Sequence, residues 1–146
     1  MEGNPDGGRL IESWGMTHGR PFRYVVNPDT ATVRSIQCGV LLLMAFWSIY
    51  PRRSLAKLFQ VLAQLPANDV ELVIVDSDGC AALEPINEIY GRHISGSGET
   101  FWIRGGQIIA FAGYHNLDAF RDNTLLLLGW PGASLPGPTD SEWLVP

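Results

Sequence analysis

Two hydrophobic patterns occur along this chain, unbroken apolar runs and apolar residues at helical spacing, and each predicts a type of element. Residues 40–46 form an unbroken apolar run, which is typical of a central strand covered on both faces. After this run, Leu55, Leu58, Phe59 and Leu62 recur at helical spacing and predict a helix with one buried stripe. The pattern therefore predicts a buried strand followed directly by an amphipathic helix.

The ends of this helix also show in the sequence. Ser48 is a candidate N-cap, Pro51 fits only the first turn, and Pro66 marks the exit. Residues 70–76 then form a second apolar segment, which predicts a second buried strand. Because a helix joins the two strands, we expect them to be parallel with a right-handed crossover.

A hairpin is predicted before the central strand, and a short helix after the second one. Residues 22–26 and 32–36 flank the turn signal at residues 27–30, so we expect them to pair as a β-hairpin. A short helix is expected from about residue 81 to residue 90, where a glycine can end it.

The last third of the central region predicts a second hairpin and a final helix. Residues 100–103 and 108–112 flank Gly105-Gly106, and two glycines between apolar segments favour a tight antiparallel hairpin. Asn116 is expected to cap a final helix over residues 117–128. The predicted fold class is therefore α/β with a mixed sheet.

Composition divides the chain into one domain with two extensions. Residues 1–21 and 129–146 are rich in glycine, proline and polar residues, so we expect an N-terminal extension and a C-terminal tail around a domain at 22–128. Leu10, Ile11 and Trp14 are spaced to form one helical turn that docks on this domain.

Charge and hydropathy exclude several classes of function. The net charge is −5, whereas a nucleic-acid binder needs a basic surface, so we expect no nucleic-acid partner. The start of the chain lacks the regions of a signal peptide, and the longest apolar run is too short to span a bilayer. We therefore expect a cytoplasmic protein without a membrane partner.

The order and spacing of four motifs resemble the thioredoxin-like superfamily over residues 40–128. Phe46-Trp47-Ser48 is similar to the end of a thioredoxin's central strand, and Val73-Ile-Val-Asp-Ser-Asp78 is similar to the end of its next strand. Phe101-Trp-Ile-Arg-Gly-Gly-Gln-Ile-Ile109 resembles the family's hairpin, and Gly113 resembles the glycine before the last helix. The resemblance implies a three-layer sandwich: a mixed central sheet with helices on both faces.

The same resemblance implies that the family's redox groups are missing. Pro51 and Ser54 stand where the family has its two cysteines, Ala45 stands where it has a buried acid, and Glu99 stands where it has a cis-proline. Neither Pro51 nor Ser54 supplies the sulfur that disulfide exchange needs. The resemblance thus implies a redox-inactive member of the fold, with no cofactor, no metal and no catalytic residue.

The candidate function is binding of another protein at the site where the fold's relatives bind substrate. The predicted partner-binding residues are Tyr50, Arg52, Arg53 and Glu99. Two arginines at a helix N-terminus oppose the helix dipole, which hints at pairing with an acidic partner. Non-catalytic members of the fold serve as assembly chaperones or adaptors, and a small acidic bacterial protein is also a candidate immunity protein. The hairpin edge also allows a homodimer.

Two enzymatic alternatives stay open at this point. Cys80 follows a strand end before a predicted helix, which makes it a candidate redox thiol. Asp76 and Asp78 lie two residues apart at the same strand end, where paired carboxylates can hold Mg²⁺ for a hydrolase. Cys38 precedes the central strand and is expected to be packed.

Overall fold

The computed structural model describes residues 5–77, 86 and 98–129, and it places a mixed five-stranded sheet among helices. In the part of the chain that it describes, no helix combines the length and the hydropathy that crossing a membrane requires. The elements in chain order are α1 (Gly7–Ser13), β1 (Arg23–Val25), α2 (Thr30–Arg34), β2 (Cys38–Met44), α3 (Ile49–Gln64), β3 (Glu71–Asp76), β4 (Thr100–Arg104), β5 (Gln107–Ala112) and α4 (Ala119–Leu127).

The strand built from the unbroken apolar run lies in the middle of the sheet. The strand order is β1-β3-β2-β4-β5, and every residue of β2 after Cys38 is buried. Strand β2 pairs in parallel with β3, with Val40 opposite Leu72, and antiparallel with β4, with Val40 opposite Trp102. The predicted parallel pair and the predicted β4–β5 hairpin are therefore confirmed.

The two faces of the sheet carry two separate cores, because successive side chains of a strand point to opposite faces. Helices α1, α3 and α4 cover the first core, whose larger members include Ile11, Leu42, Leu58, Trp102 and Phe120. The second core lies on the other face with α2, and its members include Val33, Leu41, Val73, Ile86 and Phe101. The helix predicted over 81–90 lies outside the described residues except for Ile86, which is helical and buried.

Helix α3 begins and ends as the sequence predicts. The Ser48 hydroxyl oxygen accepts a hydrogen bond from the Tyr50 backbone N–H at 3.3 Å, which satisfies one of the free donors at the helix start. Pro51 lies in the first turn, where a missing N–H costs no intrahelical bond. The helix ends at Gln64, two residues before Pro66.

The hairpin predicted before the central strand is wrong. Residues 30–34 form helix α2, and β1 pairs in parallel with β3 instead of with its neighbour in sequence. The reason is a capping box. The Asp29 carboxylate accepts the Thr32 N–H at 3.1 Å, and the Thr32 hydroxyl accepts the Asp29 N–H at 3.0 Å. Two donors at the helix start are satisfied in this way, so the turn signal starts a helix.

The last helix begins later than predicted. Helix α4 starts at Ala119 and receives no cap from Asn116. The backbone N–H of Asn116 donates to the Gly113 carbonyl, and the N–H of Ala119 donates to the Asn116 carbonyl, so these residues form turns that lead into the helix. Asn116 is therefore part of the loop between β5 and α4.

Helix α1 lies on the first core. Ile11 is fully buried there and Trp14 packs against the same cluster, as predicted, whereas Leu10, the third residue of the predicted turn, is 39% exposed. At Gly7 the helix approaches the rings of Tyr24 and Phe46 so closely that a Cβ would overlap both. The described part of the segment before residue 22 thus contributes to the core, and the predicted segment boundaries stay predictions.

The β4–β5 turn offers a matched pair of glycines for a stability test. Gly105 and Gly106 have positive φ angles of 58° and 75°. A Cβ on Gly106 would lie 2.5 Å from the Arg34 carbonyl oxygen, whereas one on Gly105 would meet nothing within 4 Å. We expect Gly105→Ala to lower the free energy of unfolding by about 1 kcal/mol, and Gly106→Ala by about 2–3 kcal/mol because it adds backbone overlap. Urea unfolding of both variants measures the difference, and equal losses would contradict it.

Candidate functional site

One end of the sheet, which we call the tip, joins the carboxyl ends of β2 and β3 to the amino end of α3. The Gly98 N–H donates to the Leu43 carbonyl, and the Leu43 N–H donates to the Glu99 carbonyl, each at 2.9 Å. Gly98 packs on the start of α3, where a Cβ would lie 3.0 Å from Ser54 Oγ and 3.1 Å from Pro51 Cα. A backbone segment is thereby held directly against the first turns of α3.

Large apolar side chains are exposed at the tip. Five such side chains are exposed among the described residues, and four of them lie here: Trp47 at 72%, Ile49 at 58%, Tyr50 at 44% and Tyr114 at 39%. Tyr50 and Tyr114 stack with ring centroids 4.4 Å apart, which joins the start of α3 to the loop before α4. We call these four residues, together with Arg52, the tip surface. This cluster of exposed apolar side chains makes the tip a candidate interaction site.

Arg52 connects the tip surface to α1 through a row of contacts. Its guanidinium carbon lies 4.4 Å from the centre of the Trp14 ring. The Trp14 ring lies 6.0 Å from Phe46, whose ring lies 6.1 Å from that of Tyr24. The Tyr24 hydroxyl donates to the Asp76 carboxylate at 2.9 Å. The row thus runs from a buried carboxylate at the end of β3 to a cation at the surface.

The predicted partner-binding residues fall into two environments. Tyr50, Arg52 and Arg53 are exposed on the first turns of α3. Glu99 is only 7% exposed, so its side chain is not part of the tip surface. Cys80, the candidate redox residue, lies outside the described residues.

Of the two carboxylates considered for metal-dependent hydrolysis, the structure describes only Asp76. Asp76 is fully buried, and Asp78 lies outside the described residues. Within the described ranges, no three side chains of His, Cys, Asp or Glu come together to hold a metal. Ala45, where the resemblance implies an acid, is buried and carries no titratable group.

Sequence reasoning missed Trp14, Trp47, Ile49 and Tyr114 as members or neighbours of the tip surface. Trp47 and Ile49 flank the cap residue Ser48, between the strand and the helix stripe, where an apolar side chain has no core to enter. That position is a usable signal of exposure. Trp14 and Tyr114 reach the tip only through tertiary packing, so no local pattern relates them to α3.

Two serines at the start of α3, the cap residue Ser48 and Ser54 within the helix, are expected to have opposite effects on stability when replaced by alanine. Ser54 is fully buried, and its hydroxyl oxygen has no hydrogen-bond partner in the part of the chain that the structure describes. Since burying an unpaired hydroxyl costs about 1–3 kcal/mol, we expect Ser54→Ala to raise the free energy of unfolding by up to about 1 kcal/mol. Ser48→Ala removes the cap and is expected to lower it by about 1 kcal/mol. Thermal unfolding measures both, and a loss in Ser54→Ala would contradict the first expectation.

Cys38 lies at the start of β2, the end away from the tip, and it is half-buried. Burial raises the pKa of its thiol; the Arg104 charge lowers this pKa and the Asp69 charge raises it, both less strongly than burial. A raised pKa keeps the thiol protonated near neutral pH, and the thiol is much less nucleophilic than the thiolate. Cys38 also packs against the first core, as the sequence predicts.

A cavity of about 640 Å³ opens between residues 17–23, the last turns of α3 and the start of β3. The Arg20 guanidinium beside it donates to the carbonyls of Ala67 at 2.6 Å and Val70 at 3.0 Å. Arg23 on its rim pairs with Glu71 at 3.2 Å. Both arginines beside this cavity therefore have partners within the described part of the fold.

The fold is similar to that of thioredoxin 2 from Pseudomonas aeruginosa PAO1 in its reduced form. The TM-score is 0.56 at 14% sequence identity, and the match covers 74% of this chain and 96% of that chain. No protein-family model matches the chain, and no curated protein sequence matches it. The chain therefore has a thioredoxin-like fold, and at this identity the likeness concerns the fold alone.

Proposed function

We propose that this chain is a redox-inactive thioredoxin-like protein that binds another protein through the tip surface. The observation that carries this proposal is the concentration of exposed Trp, Ile and Tyr side chains at one end of the sheet. Tryptophan, tyrosine and arginine are the residues that most often dominate the binding energy of interfaces. The tip surface contains all three types within two adjoining segments.

The cysteines support the redox-inactive part of the proposal. The sequence contains only Cys38 and Cys80, and they form no Cys-x-x-Cys motif. Disulfide exchange needs an attacking thiolate and a second sulfur to resolve the mixed disulfide. Pro51 and Ser54 stand at the start of α3, and Cys38 lies at the opposite end of β2, where burial raises the pKa of its thiol.

Three roles fit a protein-binding tip: an assembly chaperone, an adaptor, and an immunity-type protein that neutralises a toxin in the bacterial cytoplasm. All three need the same surface, so one experiment tests their common element. The thiol alternative rests on Cys80, and a Cys80 pKa far below the ordinary value of about 8.5 would favour it. The hydrolase alternative rests on Asp76 and Asp78, and loss of a hydrolytic activity in Asp78→Asn would favour it.

Site-specific crosslinking tests the proposal directly. A photoreactive phenylalanine analogue replaces Trp47, which is the most exposed large hydrophobic side chain described, and the variant is irradiated in native extract. The matched control carries the analogue at Gln60, which is exposed on α3 away from its first turns. We expect a protein adduct from position 47 that position 60 does not give.

The captured protein is then identified by mass spectrometry, purified and titrated against the unmodified chain by calorimetry. Binding that weakens in Arg52→Ala/Arg53→Ala would place the contact at the start of α3. Identical adducts from positions 47 and 60, or no adduct from either, would contradict the proposal.

A further inference from the structure

Arg52 is held in place by an aromatic ring at the edge of the tip surface. Its guanidinium carbon lies 4.4 Å from the centre of the Trp14 ring, and its side chain is exposed. Stacking on an indole face attracts the cation and restricts a long side chain that is otherwise mobile. Arg52 therefore loses less freedom than an ordinary surface arginine when it forms a further bond.

The ring beneath Arg52 is itself fixed. Trp14 packs against Phe46 and the first core, and Phe46 packs against Tyr24. The Tyr24 hydroxyl is anchored on the buried Asp76 carboxylate at 2.9 Å. The guanidinium thus rests on a platform that is tied to the end of β3.

The charge of Arg52 is not neutralised within the described part of the chain. The ion pair found there, Arg23 with Glu71, involves neither Arg52 nor Arg53. The chain as a whole carries a net charge of −5, so the two adjacent exposed arginines at the tip have the opposite sign to the net charge. The dipole of α3 also opposes cations at its N-terminus. This local positive charge is complementary to a carboxylate on a partner.

The anchor side chains described at the tip surface are few. The tip surface has four exposed apolar side chains and Arg52, all from two short segments. A few side chains of one linear segment are enough to cover it.

We infer that the tip surface binds a linear protein segment that carries an aspartate or glutamate beside a large apolar side chain. The carboxylate pairs with the guanidinium of Arg52, whose planar fork can bind both carboxylate oxygens. The apolar side chain packs against Trp47, Ile49 and the stacked pair Tyr50 and Tyr114. This inference rests on the proposed function and specifies the chemistry of the partner.

A peptide selection tests this chemistry without knowledge of the natural partner. A phage library of random dodecamers is selected on the immobilised full chain, and in parallel on Arg52→Gln, Arg52→Lys and Arg53→Gln. We expect the wild type to enrich peptides with an acidic residue within a few positions of Trp, Phe or Leu. The acidic preference should be lost in Arg52→Gln, weakened in Arg52→Lys and kept in Arg53→Gln.

The strength of the carboxylate contact is measured on one selected peptide. We expect the wild type to bind its Glu→Gln form at least about tenfold more weakly, because a hydrogen bond to a charged group is lost. The Arg52→Gln variant should bind both forms equally. Circular dichroism and a thermal midpoint for each variant show that the protein compared is folded.

Three results would overturn the inference. If peptides selected on the wild type showed no preference for acidic residues, a carboxylate on the partner would be excluded. If the acidic preference were unchanged in Arg52→Gln, Arg52 would be excluded as the residue that binds the carboxylate. A library that yields no peptide, while crosslinking at position 47 still captures a protein, would show that the partner is not a linear segment. That last result would be consistent with the proposed function and contradict only the linear segment. The absence of any crosslinked protein would contradict both the proposed function and this inference.

Discussion

Replacing Trp102 with alanine is expected to lower the free energy of unfolding by about 3–5 kcal/mol. Trp102 is fully buried in the first core, and its ring lies edge-on to that of Phe120 with centroids 5.2 Å apart. Its indole N–H also donates to the Thr124 hydroxyl at 3.0 Å. The substitution removes the largest fully buried side chain described and one of the hydrogen bonds of Thr124. Unfolding in guanidinium measures the decrease in the free energy of unfolding.

Trp47 provides the matched control for this experiment. It is the same residue type but is 72% exposed, so Trp47→Ala is expected to change the free energy of unfolding by less than about 0.5 kcal/mol. Similar losses in the two alanine variants would show that Trp47 is packed in solution. That result would also remove it from the tip surface.

The double variant Trp47→Ser/Ile49→Ser is expected to weaken binding of the crosslinked partner by at least 100-fold. Each residue is an exposed apolar anchor, and loss of a hot-spot side chain costs about 2 kcal/mol or more, which is roughly 30-fold in affinity. Stability should stay close to that of the wild type, because neither side chain is buried. Calorimetric titration with the purified partner measures the change in affinity.

Leu10→Ser is the control for this double variant. Leu10 is the fifth exposed large hydrophobic side chain described, at 39%, and it lies on α1 outside the tip surface. We expect it to bind the partner as the wild type does. Equal weakening by Leu10→Ser would mean that the interface is centred on α1, and unchanged binding by the double variant would place it elsewhere on the molecule.

The elements that local pattern determines were predictable from the sequence. The unbroken run of β2, the stripe and cap of α3, and the glycine turn between β4 and β5 each depend on residues close together in the chain. The segment at residues 27–34 was not predictable in the same way, since a turn signal and a helix start use the same residue types. The capping box of Asp29 and Thr32 stabilises a helix at this position instead of a hairpin turn.

The site was predictable only in part, for a related reason. Tyr50 and Arg52 were predicted as partner-binding residues because they follow the central strand, where the resemblance implies a binding site, and the structure shows that both are exposed. Tyr114 and Trp14 lie far from them in sequence and meet them only through the packing of α1 and of the loop before α4. Glu99 was placed by the same resemblance, but its side chain is buried. Alignment to a motif gives a position along the backbone and not the exposure of a side chain.

The central position of β2 has a consequence for the synthesis of this protein. Of the two strands that pair with β2, β3 follows soon in the chain. The other is β4, in which Arg104 lies opposite Cys38, and it is synthesised much later. At about 5–20 residues per second, the ribosome needs several seconds to deliver β4 after β2 has emerged. During that interval the most apolar strand of the nascent chain has an open edge, which other chains can pair with. The rate of translation between these two strands therefore bears on how much of the protein reaches its native sheet.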